Sequence, residues 1–245
     1  MLDVHPPHHA ANTWRDFFIH IATIVIGLLI AIGLEQTVEL IHHASERREV
    51  ISALRQEAEG NALTLHTDID ILISEADWSL AAIKVLQLAP AKAGIVRAML
   101  PQHKGFGHNT QPNRSAWTLS TSNGKAALLP EARARSYELM DRAAAQVLTA
   151  TEARNTAYVA QHELELRLHA QFVPGATLSI PESEVPAVVE RLASRATALQ
   201  WEAARDAILI GYCEAVARDI SDPREVGNLV GKEATAVQER TVGNF

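Results

Sequence analysis

The sequence predicts an all-α protein: a single N-terminal transmembrane helix continues into a long amphipathic helix, which is followed by an elongated antiparallel helical bundle. Three observations predict this fold class. Residues 17–34 are apolar and carry no formal charge, apolar residues then recur at helical spacing as far as Pro90, and no five-residue stretch alternates cleanly in the manner of a β-branched strand.

Residues 17–34 have the length and composition of a membrane anchor. As a helix with a rise of about 1.5 Å per residue, the run is about 27 Å long, which matches the hydrocarbon core of a bilayer. Trp14 lies just before the run, where we expect the membrane–water interface that aromatic rings prefer, and the charged residue Glu35 ends the run. The run is longer than the core of a signal peptide, and no small-x-small cleavage site follows it. A buried core helix of a soluble protein is the alternative interpretation.

One face of the predicted anchor is lined with small residues. Thr23, Gly27 and Ala31 are four residues apart and lie on the same side of the helix as His20. A stripe of this kind lets a second helix approach closely in lipid. The His20 ring could reach the headgroups, contact a partner helix or ligate a haem or pigment, and the sequence leaves these open. We expect these four residues to form the membrane helix-packing face.

Four parts follow from this pattern. Residues 1–16 form a flexible tail rich in His and Pro, residues 17–34 the transmembrane helix, residues 35–221 the helical bundle domain, and residues 222–245 a C-terminal tail. Few basic residues flank the anchor on either side, so its orientation in the membrane stays open.

The bundle domain begins with one long amphipathic helix. Apolar residues three, four or seven apart mark its face, namely Val38, Ile41, Ala44, Ile51, Leu54, Ala58, Ala62, Leu65, Ile69, Leu72, Ala76, Leu80, Ile83 and Leu86. Gly60-Asn61 is the one weak point in this helix.

Three further segments complete the domain. Prolines and glycines punctuate residues 90–124, where we expect only short helices at 95–100 and 114–122. Pro130 opens a helix of about 40 residues that ends at Val173-Pro174-Gly175. After a loop at 175–184, Pro186 opens a last long helix through Arg218.

Composition excludes several classes of function. The formal net charge is −7 and the longest basic cluster is Arg47-Arg48, which argues against binding to nucleic acid. A single cysteine, Cys213, rules out an intramolecular disulfide framework and a multi-cysteine metal site. Cys213 lies in an apolar run, where we expect it to be buried.

No residue pattern predicts a catalytic, cofactor-binding or metal-binding residue. The tail histidines His5, His8 and His9 surround Pro6-Pro7, which cannot fold onto a metal ion, and His42-His43 point about 100° apart on a helix. Among helical residues, the tightest group is His162, Glu165 and His169, which could share a face. Its Glu-x-x-x-His spacing differs from that of dimetal bundles and is not repeated. The loop residues His103, Lys104, His108 and Arg114 surround Gly105-Phe106-Gly107 without the context of a phosphate loop.

Several segments resemble a group of uncharacterised bacterial inner-membrane proteins. They are Trp14-Arg15-Asp16-Phe17-Phe18-Ile19-His20 with Gly27 to Glu35, the element Leu54-x-x-Glu57-x-x-x-Asn61, and the pattern Trp117, Gly124 and Tyr137. The resemblance covers about half of the chain. It implies a single anchor in the inner membrane of a Gram-negative bacterium, with a soluble helical domain in the periplasm, and it implies no activity.

The sequence therefore predicts a membrane-anchored accessory or interaction subunit without catalytic activity of its own. Its expected partners are the lipid bilayer and other membrane protein subunits, or a second copy of the chain, through the anchor helix. A membrane-anchored sensory or small-ligand-binding helical module is the alternative.

Overall fold

The computed structural model describes residues 14–103 and 111–242, and in them the chain is mostly helical. The helices are α1 (Trp14–Leu88), α2 (Ser115–Ser122), α3 (Glu131–Leu168), α4 (Val185–Ala217) and α5 (Pro223–Val242). The strands are β1 (Ala91–Lys92), β2 (Ile95–Met99) and β3 (Thr177–Pro181), and 3-10 turns lie at Lys125–Leu128 and Glu182–Glu184. The chain divides into two compact units, Met1–Glu49 and Val50–Phe245.

The first unit consists, in its described part, of the beginning of α1. This is the described helix that is long and apolar enough to cross a membrane, and none of its apolar window is buried. Ile24, Leu29 and Ile30 each expose more than 60% of their surface. From residue 14 to residue 43 the side chains are exposed around the whole circumference of the helix.

In the second unit, α1 buries one side only. Two series of residues at seven-residue intervals face the interior: Leu54, Asn61, Asp68, Glu75 and Ala82 form one, and Ala58, Leu65, Leu72, Ser79 and Leu86 form the other. Such spacing is that of a helix packed along its length against neighbouring helices. The predicted weak point at Gly60-Asn61 is absent from α1, which is helical through both residues.

Two apolar clusters form the interior of this unit. The larger cluster joins α1 with α3 and α4 and includes Leu54, Leu72, Val147, Leu199 and the buried thiol of Cys213. The smaller one lies between the end of α1, the sheet and the start of α4, where Trp78 and Phe172 are almost fully buried.

The sheet was not predicted. In the segment 95–100, expected as a short helix, Ile95–Met99 form β2, and part of the expected loop at 175–184 forms β3. The two strands are antiparallel, with Val96 opposite Ile180 and Ala98 opposite Leu178, and these four side chains point into the smaller cluster. A short apolar run fits either a helix or a strand, and only the distant partner strand decides between them.

Helix α5 occupies most of the expected C-terminal tail. An Asp222 carboxylate oxygen accepts hydrogen bonds from the backbone N–H groups of Arg224 and Glu225, which starts the helix. Val226 and Val237 are buried, and Gly211 of α4 lets the Val230 backbone come close. The segment predicted as a C-terminal tail therefore forms a helix, and α4 supplies the surface on which it packs.

Replacing Gly211 by alanine tests this packing. The new Cβ would lie 2.5 Å from Val230 Cα and 2.8 Å from its backbone nitrogen, so α5 would have to move. We expect Gly211→Ala to cost about 1–3 kcal/mol of unfolding free energy. Thermal unfolding and hydrogen exchange in α5, measured on the full chain in detergent, report the change.

Gly231→Ala is the matched control, because its Cβ would meet no atom within 4 Å. This substitution should raise stability by about 0.5–1 kcal/mol through helix propensity alone. Equal effects of the two substitutions would contradict the packing of α5 on Gly211.

Candidate functional site

The second unit contains a cleft between α3, α4 and the loop that follows α3. Its volume is about 540 Å³, within the range of small-molecule sites. Ten residues line it: Tyr158, Val159, Gln161, His162, Glu163, Glu165, Phe172, Val173, Pro174 and Arg195.

The end of α3 places the outer wall of the cleft. The helix stops at Leu168, about one turn before the predicted end, because His169 adopts a left-handed backbone with φ +48°. The chain then turns back, and Glu165 Oε1 accepts the backbone N–H of Phe172 at 3.1 Å. Phe172 is almost fully buried, so this bond and this ring together fix the loop against α3.

A buried ion pair forms the floor of the cleft. Arg195 of α4 donates from Nη2 to Glu75 Oε2 of α1 at 3.2 Å, and both side chains are about 3% exposed. The guanidinium carbon lies 4.4 Å from the ring centroid of Tyr158 and 5.3 Å from that of Trp78. Removing one partner of such a pair typically costs about 3–5 kcal/mol of stability, because the other charge is left buried and unpaired.

Tyr158 completes the floor as a neutral hydrogen-bond donor. Burial is the largest of the effects that raise the pKa of Tyr158 to about 12, and the Glu75 hydrogen bond adds to it. Its hydroxyl donates to Glu75 Oε2 and accepts from Arg195 Nη2 at 2.9 Å. The phenol therefore keeps its proton throughout the physiological range.

A chain of hydrogen bonds links this floor to the rim. Arg195 Nη1 donates to Gln161 Oε1 at 3.3 Å, and Gln161 Nε2 donates to Glu165 Oε1 at 2.8 Å. At the surface, Glu165 Oε2 lies 3.3 Å from His162 Nδ1. Side chains from α1, α3 and α4 are thus joined to the loop that carries Phe172.

A second buried polar cluster lies along the same helices. Arg154 pairs with Glu202 at 3.2 Å, and Thr151 donates to Glu202 at 2.7 Å. Asp206 is 2% exposed, and its Oδ1 has no hydrogen-bond partner among the described residues. Burial, followed by the charges of Glu202 and Asp68, raises the pKa of Asp206 well above its ordinary value. Burial also raises the pKa of Glu202.

That polar residues of α1 are buried was not predicted from the sequence. Asn61, Asp68 and Glu75 lie at seven-residue intervals between Leu54 and Ala82, in the middle of the buried face of α1. Scoring apolar residues alone passes over them. A search for polar residues at regular positions within an apolar face would have found all three.

The Leu-x-x-Glu-x-x-x-Asn element holds α2 in place. Glu57 Oε2 accepts the backbone N–H of Ala116 at 2.7 Å at the start of α2. Asn61 both donates to and accepts from the backbone of Asn113, at 2.8 Å each. The ring centroid of Trp117, the residue after Ala116, lies 6.0 Å from that of Tyr137. The element therefore acts here as a docking point for α2.

The histidines named in the sequence analysis lie at different places in the structure. His162 and Glu165 meet at the cleft rim, whereas His169 lies beyond the end of α3 and does not line the cleft. His103 Nε2 and the Ser74 hydroxyl form a hydrogen bond of 2.7 Å. Residues 104–110 and the tail histidines lie outside the described residues. No group of three metal-binding side chains occurs within 14–103 and 111–242.

A second cleft of about 600 Å³ lies where α5 meets α3 and α4. Leu139, Tyr212, Val226 and Val230 form its apolar walls, with Arg135 at its edge. None of the residues that line this second cleft takes part in a buried ion pair, whereas Arg195 in the first cleft does.

The four residues predicted as a packing face, His20, Thr23, Gly27 and Ala31, lie on α1 within the first unit and are all exposed. Nothing lies within 4 Å of the Cβ position of Gly27. Comparison with known proteins adds no analogy: no family model, no curated protein and no solved structure matches the chain.

The buried carboxylates predict a stability that falls as the pH rises. A carboxyl group whose pKa is raised on folding binds its proton more tightly in the native state, so its stabilising effect is lost as the pH increases through the folded pKa. For one such group the slope is at most about 1.4 kcal/mol per pH unit. We expect Asp206→Asn to reduce the fall in Tm between pH 5 and pH 8, measured by circular dichroism on the full chain.

The exposed residue Asp222 gives a comparison with Asp206. Because Asp222 lies at the surface and not in the core, Asp222→Asn should leave the slope between pH 5 and pH 8 unchanged. A pH dependence that is the same in the wild-type chain and in Asp206→Asn would show that Asp206 does not hold a proton in the fold.

Proposed function

We propose that this protein is a single-pass, membrane-anchored accessory protein that acts through contacts with other membrane proteins and performs no chemistry of its own. The observation that carries the proposal is the first part of α1, whose apolar window is not buried at all by the described residues. The domain in the second unit is then the part that partners meet outside the bilayer.

The exposure of this helix favours lipid as its environment. Fully burying a side chain such as Leu or Ile gains about 1.5–3 kcal/mol relative to water, so a helix apolar on every side is costly to leave in water. One protein partner would cover one face, and residues such as Ile24, Leu29 and Ile30 point in different directions. A bilayer covers all faces at once.

The helix also has room for a partner. The Thr23 hydroxyl donates to the Ile19 carbonyl at 2.8 Å, so it needs no outside acceptor in lipid. Gly27 and Ala31, on the same side of the helix, have no large side chain that would keep a neighbouring helix away, and the space around Gly27 is open. A second transmembrane helix could therefore approach here at close range, in the manner of small-xxx-small pairs.

The resemblance of the anchor to those of uncharacterised bacterial inner-membrane proteins supports a location in that membrane. In this proposal, the helical domain lies in the periplasm, and the partner is another membrane protein subunit or a second copy of the chain.

A sensory or small-ligand-binding module is the second candidate function. The cleft between α3 and α4 favours it, because a concave surface with an apolar wall and a few convergent polar groups is the usual form of a ligand site. The hydrogen-bond chain from Glu165 to Glu75 also connects that cleft to α1.

Gly27→Leu tests the proposed packing face. A leucine on the small-residue side should separate the helices, and the assembled species in a native gel of mild detergent extracts should fall by at least half. The domain should unfold at the same temperature as in the wild-type chain, since Gly27 lies outside the second unit.

Gly33→Leu is the matched control, because Gly33 lies about 120° around the helix from Gly27 and also has open space at its Cβ position. Assembly unchanged by Gly27→Leu, or reduced equally by both substitutions, would overturn the packing face.

A further inference from the structure

Three apolar residues near the end of the first unit are exposed at the edge of the apolar run and beyond it. Leu34, Val38 and Ile41 of α1 expose 68%, 62% and 66% of their surface. Leu34 is the last residue of the run, and the other two follow the charged residue Glu35. Because residues 17–34 already have the length of the hydrocarbon core, lipid tails do not account for Val38 and Ile41. A protein surface that covers them would lie outside that core.

The three residues continue the side of α1 that carries the proposed packing face. Gly27, Ala31, Leu34, Val38 and Ile41 follow one another in steps of four, three, four and three residues. This is the heptad spacing of a helix that pairs with another helix along one seam. A repeat of seven residues also gives the left-handed crossing that most transmembrane helix pairs have. We call these five residues the α1 seam.

The residue types in the α1 seam suit a pair of identical, parallel helices. In the heptad, Leu34 and Ile41 occupy position d and Val38 lies between them at position a. A β-branched residue at position a beside leucine at position d favours two strands over three or four. Copies of one chain have the same orientation in a membrane, so their anchor helices run parallel.

The positions beside the seam are compatible with this pair and limit its length. In a parallel pair, Thr37 of one copy lies opposite His42 of the other, so two like charges do not meet there. The Thr37 hydroxyl donates to the Gly33 carbonyl at 2.7 Å and needs no acceptor outside its own helix. The next d position is Arg48, where two copies would bring like charges together. The paired segment therefore ends after Ile41.

We propose that the α1 seam pairs with the same seam of a second copy, in a parallel two-stranded coil that begins in the membrane and continues beyond it. This inference rests on the proposed function and names the partner of the anchor helix. Pairing removes Leu34, Val38 and Ile41 from water, which the described residues of one copy do not do.

Cysteine cross-linking of the full chain in isolated membranes tests the seam. Two cysteines form a disulfide only when their Cα atoms come within about 7 Å, as those of seam residues in a parallel pair do. Under mild oxidation, Val38→Cys and Ile41→Cys should therefore give disulfide-linked dimers in roughly fivefold higher yield than Leu40→Cys. Mass spectrometry of the cross-linked band checks that it contains this chain alone.

Leu40 is the matched control for Ile41. Both are apolar, and they expose 70% and 66% of their surface, but Leu40 points about 100° away around the helix. The wild-type chain is the blank, because its one cysteine, Cys213, is buried.

Equal dimer yields from the three cysteine variants overturn the seam, because they would report random collisions in the membrane. If neither Val38→Cys nor Ile41→Cys gives a dimer above the blank, the second copy is overturned as the partner. The proposed function then still stands if Gly27→Leu reduces assembly in the native gel, since the packing face would serve another protein. If Gly27→Leu has no effect either, both proposals fail.

Discussion

The change in surface pattern along α1 is the constraint on which the rest of the structure depends. From residue 14 to residue 43 its side chains are exposed on every side, and from Val50 onward only one side is buried. The first pattern suits a uniform apolar solvent, and the second suits a helix that packs on a protein core and meets water on its other side. One helix of 75 residues therefore has two segments whose surface patterns suit two different environments.

Polar residues inside the buried face of α1 determine what packs against it. Asn61 binds the segment before α2, and Glu75 binds Arg195 of α4 and Tyr158 of α3. Such groups are costly to bury unless their partners are in place, so they favour one alignment of the helices over slipped alternatives. The same requirement places the ion pair at the floor of the cleft, which is how the packing of the domain also shapes its candidate site.

The long helices were predictable from the sequence, and the candidate site was not. Helices α1, α3 and α4 follow from apolar periodicity sustained over many turns, and α4 begins at Val185, one residue before the predicted start. The strands at 95–99 and 177–181 pair with each other although they are far apart in sequence. Neither five-residue run can therefore be recognised as a strand on its own. The cleft depends on a left-handed residue that ends α3 early and on Glu75, which sequence patterns treat as a surface residue.

The most direct test of the account is whether residues 17–34 lie in lipid. The full chain is expressed with its N-terminus intact, and isolated membranes are washed with alkaline carbonate, which releases proteins held by charge or by contacts with other proteins. If residues 17–34 lie in lipid, the chain stays in the membrane pellet and leaves it only with detergent. Release of the folded chain into the carbonate supernatant would contradict it and would mean that a protein surface covers the apolar helix.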